Sequence, residues 1–120
     1  MKRSDFSHLP HGLAAALDEV GSWWTPLIIW AIAGGHTRFD PLQAELDIAR
    51  NILSTRLSDL VDSGVLHKQP YSERPPRHEY LLTDKGKALL PALQLMDEWG
   101  TSWTRRFPPD EGGVGALVPR

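Results

Sequence analysis

Cysteine is missing altogether from the 120 residues. That excludes disulfides, Cys-ligated metal, and a thiol nucleophile or redox sensor. Long hydrophobic runs are missing too, none approaching the roughly 18 apolar residues of a membrane-spanning helix. The start, MKRSDFSHLP, lacks the apolar stretch of a secretory signal. These absences point to a cytoplasmic protein with no membrane partner. Positive charge is not in excess either. Thirteen Lys plus Arg stand against fifteen Asp plus Glu, a net charge of −2, whereas a strong non-specific binder of nucleic acid is usually basic. Any such contact must therefore rest on where the cations lie. Catalytic signatures are also lacking. The chain has no HExxH, no GxSxG and no phosphate-cradling glycine loop, so neither an enzyme nor a cofactor is expected.

What the chain does contain is an ordered pattern over residues 36–86. Asp40-Pro41 is expected to open a short helix, with Asp as N-cap and Pro at the first helical position. Gln43 stands where a capping-box partner would. Asp47-Ile48-Ala49 reads as a turn. A second helix is expected over roughly Arg50–Ser63, where Leu53, Leu57, Leu60 and Val61 make one apolar stripe. Gly64 follows as a C′ glycine. Val65–Tyr71 and Arg77–Leu82 are strand candidates around the turn-rich loop Ser72-Glu73-Arg74-Pro75-Pro76. Two short helices followed by a hairpin is the order of a winged helix-turn-helix, an architecture used mostly to read duplex DNA. The expected class is α+β and mostly helical, with N- and C-terminal helices forming a dimer interface.

Elsewhere helical spacing dominates. Leu9, Leu13, Ala16, Leu17 and Val20 predict a first amphipathic helix ending near Gly21. Thr25-Pro26 should cap and start a second. Its Leu27–Ala33 run is apolar almost all round, so burial on every side is expected, and Gly34-Gly35 should end it. Thr83 should cap a final helix that carries Leu89, Leu93, Met96, Trp99 and Trp103 on one face. Pro91 falls inside that helix and should bend or break it, and Pro108-Pro109 should stop it. No internal repeat or low-complexity linker divides the chain, so residues 1–109 are expected to form one domain. Leu117-Val118-Pro119-Arg120 matches the sequence that thrombin leaves of a C-terminal tag, behind the spacer-like Gly112-Gly113-Val114-Gly115, and a natural tail is the alternative. Residues 110–120 are accordingly expected to be a disordered tail outside the fold.

With the leucine stripe inward, the second helix of the pair turns Asn51, Thr55 and Ser58 outward, flanked by Arg50 and Ser54. Short donors and one long cation suit base edges and phosphates, since Arg pairs bidentately with guanine and Asn with adenine. The alternative is an ordinary solvated face. Arg56 lies nearer the apolar stripe, which leaves a phosphate contact and a packing role both open. The wing offers Ser72, Arg74, Arg77 and His78. Arg74 at the tip suits a narrow minor groove, while Arg77 either meets DNA or braces the wing through Glu73 or Glu79. Five tryptophans are many for this length. Trp23, Trp24, Trp30 and Trp99 are candidates for an aromatic pocket holding a planar effector, although core and dimer packing is the default for such side chains. A helix-turn-helix normally reads two half-sites as a two-fold dimer. Leu9, Leu13 and Leu17, with Leu93, Met96, Trp99 and Trp103, are expected at that interface. His8 and His11 have a spacing that allows a metal or a titrating pair, but a partly exposed interface histidine is the simpler expectation. No metal site is assigned.

A longer set of residues carries a family likeness. It comprises Gly21, Trp24 and Thr25, then Arg38-Phe39, Leu42, Ile48, Leu53, Ser54, Arg56-Leu57, Leu60 and Gly64. Pro75-Pro76-Arg77, Glu79-Tyr80, Leu82-Thr83, Gly86 and Leu89 follow as PPRxEYxLTxxG, and Glu98-Trp99-Gly100 comes last. From about His11 to Gly100 this set resembles the HxlR-type winged-helix transcriptional regulators, relatives of the MarR regulators. The resemblance implies a homodimer that binds a duplex DNA operator in a sequence-specific way and represses a nearby promoter. It also implies a cysteine near the start of the first helix. His11 stands at that place here, so the thiol sensing known in the family cannot operate in this chain. Trp23 stands where the family usually has lysine. Two rivals remain: a regulator released by an aromatic small molecule, and a winged helix used only for protein contact, which the acidic net charge favours.

Overall fold

The computed structural model describes Asp5 and residues 7–104. In chain order these form α1 (Gly12–Val20), α2 (Trp24–Ala33), α3 (Phe39–Leu46) and α4 (Arg50–Asp62), then β1 (Leu66–Glu73) and β2 (Pro76–Leu82), then α5 (Asp84–Ala88) and α6 (Leu90–Trp103). They divide into two compact units, the first ending at Ala88 and the second starting at Leu89. The expected stop at Pro108-Pro109 and the tail of residues 110–120 lie outside the described residues.

The core of the first unit is built from the stripes that periodicity marked. Ile28 and Ile29 of α2, Leu42 of α3, Leu53 and Leu57 of α4 and Leu66 of β1 are fully buried. Removing such a side chain down to alanine typically costs about 2–5 kcal/mol. The expectation that α2 is covered all round does not hold. Leu27 and Trp30 of α2 and Trp23 just before it are exposed, Trp23 at 76%. An all-apolar sequence carries no information on which side lacks a neighbour, so composition overstated the burial.

Local capping differs from expectation at α2 and α3, and at α1 it supplies a cap not anticipated. His11 is the N-cap of α1, its Nδ1 accepting from the Ala14 N–H at 3.2 Å. α2 begins at Trp24 rather than after a Thr25 cap. Thr25 sits inside the helix, buried, with its hydroxyl 3.2 Å from that of Ser22. α3 begins at Phe39, so Asp40 lies in its first turn and is no cap, and Gln43 makes no capping box. The Gln43 amide instead donates to the Ile48 carbonyl at 3.1 Å and closes the turn between α3 and α4. Asp47 ends α3 in a left-handed conformation, φ 51°, which places the buried Ile48 under the corner.

α4 ends as its sequence predicts, within a residue. Gly64 takes φ 82°. Its N–H bonds to the Val61 carbonyl, and that of Val65 to the Leu60 carbonyl at 2.9 Å, the paired bonds of a Schellman motif. The hairpin is tighter than expected, because pairing continues through Glu73↔Pro76. A bulge at Tyr71, between Pro70↔His78 and Ser72↔Arg77, absorbs the extra residue. The Ser72 hydroxyl donates to the Pro75 carbonyl at 3.0 Å and ties the turn. The segment before α3 adds a rung to β2. Arg38 pairs with Glu79 as a single bridge, and the Tyr80 N–H reaches the Thr37 carbonyl at 2.7 Å.

Thr83 caps the next helix as expected, accepting from the Gly86 N–H at 3.2 Å. Its hydroxyl also lies 3.0 Å from the Val65 carbonyl. The anticipated single final helix is two. The break falls at Leu89, and Pro91 occupies the first turn of α6, where its missing N–H costs nothing. In the second unit α6 closes with the Thr104 hydroxyl donating to the Gly100 carbonyl at 2.7 Å.

Candidate nucleic-acid interface

α4 separates its side chains cleanly. Leu53, Leu57 and Leu60 point into the core, while Asn51, Ser54, Thr55 and Ser58 are exposed together on the opposite face. The Thr55 hydroxyl donates to the Asn51 carbonyl at 2.9 Å, so toward a ligand it can only accept. The Asn51 amide keeps both donor and acceptor, the pair that adenine requires. Nothing in this face buries a charge, and none of its members is tied to another element.

The two arginines of the helix behave differently from these and from each other. Arg50 is exposed but engaged. Its Nη1 donates to Asp40 Oδ1 and to Gln43 Oε1, both at 3.0 Å, and its guanidinium sits 4.6 Å from the centre of the Phe39 ring. Arg56 lies on the flank toward α1 and α2, not on the Asn51 face. Its Nη1 reaches Asp59 at 3.2 Å, and its Nε is buried without a partner. Arg56 also lines a cavity of about 90 Å³ with Glu19, Ser22, Thr25 and Ser63. Of its two open roles, this position favours packing. Lys85 closes the same corner, donating to Glu19 at 2.6 Å and to the Ser63 carbonyl at 2.8 Å.

Arg74, Arg77 and His78 are all exposed on the wing. Neither Arg74 nor Arg77 has an ion-pair partner among the described residues. Glu79, one of the two braces considered for Arg77, faces Arg38 at 4.0 Å instead. Arg38 is the residue that sequence reasoning missed. Its guanidinium stacks 3.7 Å from the centre of the Tyr71 ring, so one side chain ties the start of α3 to the bulge of the wing. The likeness to the family flagged Arg38, but no spacing in the sequence relates residue 38 to residue 71. Tyr80, half-buried beside this junction, has its phenol pKa raised above 10.0 by desolvation.

The remaining candidates scatter. The cavity near Arg56 includes no tryptophan. Trp23, Trp30 and Trp99 are exposed and Trp24 is half-buried. Leu9, Leu13 and Leu17 in and before α1 are exposed, as are Met96, Trp99 and Trp103 on α6. Leu95 of α6 is exposed as well and was not anticipated. Leu93 is only 7% exposed in the single chain, which leaves it little surface to offer a partner. No group of three or more metal-capable side chains occurs among the described residues, and capping α1 accounts for His11. No helix among the described residues is long and apolar enough to cross a membrane.

A helix-turn-helix with a free polar face on its second helix, followed by a cationic hairpin, defines a winged-helix DNA-binding regulator of transcription. The profile of the HxlR-like helix-turn-helix proteins matches residues 19–107, and the chain belongs to that family. An HTH-type transcriptional regulator of Mycobacterium bovis, Mb3122, is 41% identical over 108 residues, covering 88% of this chain and 68% of its own length. Among solved structures, PA1607, presented as a candidate transcription factor, superposes with a TM-score of 0.78 at 38% identity, covering 91% of this chain and 75% of its own. The redox regulator HypR in its reduced form gives 0.69 at 31%, covering 75% and 90%. These relatives are regulators rather than enzymes. The redox function is HypR's own, and this chain has no cysteine with which to share it.

Proposed function

We propose that the chain acts in the cytoplasm as a homodimeric repressor, reading an operator with α4 in the major groove and the wing on the minor groove or phosphates. The observation that carries this reading is the outward face of α4, where Asn51, Ser54, Thr55 and Ser58 are exposed directly opposite a fully buried leucine stripe. Arg50 borders that face, and Arg74, Arg77 and His78 supply the cations of the wing. Exposed apolar side chains on α1 and α6 support self-association, since soluble monomers seldom leave such surface bare. A mobility shift with the chain's own upstream region against a scrambled duplex tests the reading. Asn51→Ala should cost about 1–3 kcal/mol on the cognate site and little on random DNA. Equal loss on both would leave Asn51 a phosphate contact, and no shift with either duplex would favour the role confined to protein contact. Analytical ultracentrifugation at micromolar protein checks the dimer.

Exposed Trp23 and Trp30 support a second reading, release from DNA by an aromatic small molecule. Saturable tryptophan quenching that tracks loss of the mobility shift would establish it.

A further inference from the structure

Arg50 opens α4, yet everything that holds it belongs to α3. Its Nη1 serves Asp40 and Gln43 together, and its plane lies near the Phe39 ring. No hydrogen bond within the described residues uses its Nε or Nη2. Those two donors form the side-on edge of the guanidinium, which can pair with O6 and N7 of a guanine. Asp40 and Gln43 were expected to cap α3, and neither does. Both side chains are directed to Arg50 or the α3–α4 turn instead. Arg50 and Asp40 are 65% and 80% exposed, and an ion pair in such a setting adds little stability. Its value must lie elsewhere.

We propose that Asp40, assisted by Gln43 and Phe39, is a positioning residue that sets DNA specificity by fixing the free edge of Arg50 for one guanine. The proposal rests on α4 entering the major groove. A loose arginine settles on any phosphate within reach. One held through Nη1 presents a single edge and loses less rotamer freedom on binding. The carboxylate also discriminates against wrong sequences. Where no guanine meets Arg50, Asp40 still brings a negative charge toward the phosphates with nothing gained in return.

The experiment is selection from a random duplex library by the full chain, in wild-type, Asp40→Asn, Asp40→Glu and Arg50→Lys forms, with a melting curve for each. Wild type should enrich a site containing a fixed guanine. Arg50→Lys keeps the charge but loses the fork, so preference at that base should fall roughly 5- to 150-fold, the discrimination of one bidentate pair. Asp40→Asn should weaken preference at the same base, raise affinity for unselected duplex and leave melting nearly unchanged. Asp40→Glu should recover much of the preference, which a merely structural role for Asp40 would not do. If Asp40→Asn enriches the wild-type site with undiminished guanine preference, the proposal is overturned while the placement of α4 stands. If wild type enriches no sequence at all, the placement itself fails and takes the proposal with it.

Discussion

Replacing Gly86 by alanine sets two physical effects against each other, and the structure says which should win. In a helix, alanine is favoured over glycine by about 1 kcal/mol, so propensity alone makes Gly86→Ala stabilising. The geometry opposes this. A Cβ on Gly86 would lie 2.5 Å from the Val65 carbonyl oxygen, 3.0 Å from Leu82 Cδ2 and 3.3 Å from Val65 Cγ1. The first contact is with backbone, and that carbonyl already accepts from the Thr83 N–H at 3.1 Å. Relief requires α5 to lift from Val65 or the backbone at Val65, just before β1, to move. Overpacking of this kind costs about 1–3 kcal/mol, and loss of the Thr83 bond adds about 1 kcal/mol. After the propensity gain the net should be about 1–3 kcal/mol of destabilisation. For a domain near 100 residues, 1 kcal/mol moves the midpoint by roughly 4–8 °C, so a drop on the order of 10 °C is expected. Thermal and urea melts followed by circular dichroism would measure it. A variant as stable as wild type, or more so, would refute the argument, because it would mean that α5 does not sit as close to Val65 as Gly86 permits.

Arg74→Ala should weaken DNA binding whatever the sequence and lower the slope of affinity against salt by about one unit; an unchanged slope would take Arg74 off the DNA. Burial raises the Tyr80 phenol above 10.0, so the folded form resists ionisation that the unfolded chain accepts. The stability this residue contributes is therefore complete below about pH 10 and is lost as pH rises through the folded value. Tyr80→Phe should flatten that alkaline decline in urea melts, and an identical decline would assign it to other groups. Diamide should leave operator affinity untouched, because no residue here forms a disulfide, whereas a loss reversed by dithiothreitol would contradict the sequence itself.

What could be read in advance was whatever depends on neighbours in sequence. The limits of α4, the glycine after it, the Thr83 cap and the break that Pro91 forces all follow from spacing and backbone chemistry within a few residues. The errors share a different origin. Asp40 and Gln43 each stood at the correct spacing for a cap, but each had a better partner across the α3–α4 turn: Arg50 and Ile48. A polar side chain with two partners available goes to the one that local spacing does not reveal. The Arg38–Tyr71 stack escaped notice for the same reason, since only the docking of the segment before α3 against β2 creates it. On the outward face of α4 the outcome reverses. Asn51, Ser54, Thr55 and Ser58 were legible because they have no tertiary partner, so periodicity alone decides where they point.

That contrast separates six of the described cations by what holds them. Arg38 and Arg56 have protein partners on the inner or wing side of the helix-turn-helix, and Lys85 joins Glu19 of α1 to the last turn of α4 through the Ser63 carbonyl. These fix the position of α4 and the wing. Arg74 and Arg77 lack ion-pair partners among the described residues and remain available to phosphate. Arg50 stands between the two groups, anchored at one nitrogen and open along one edge. A net charge of −2 is therefore no obstacle to binding DNA. Part of the basic complement holds the helix-turn-helix and wing together, while Arg50, Arg74 and Arg77 stay exposed on α4 and the wing. Such a surface should bind random DNA weakly and depend on base contacts for most of its affinity, which is the behaviour a regulator needs in order to find one operator among many competing sequences.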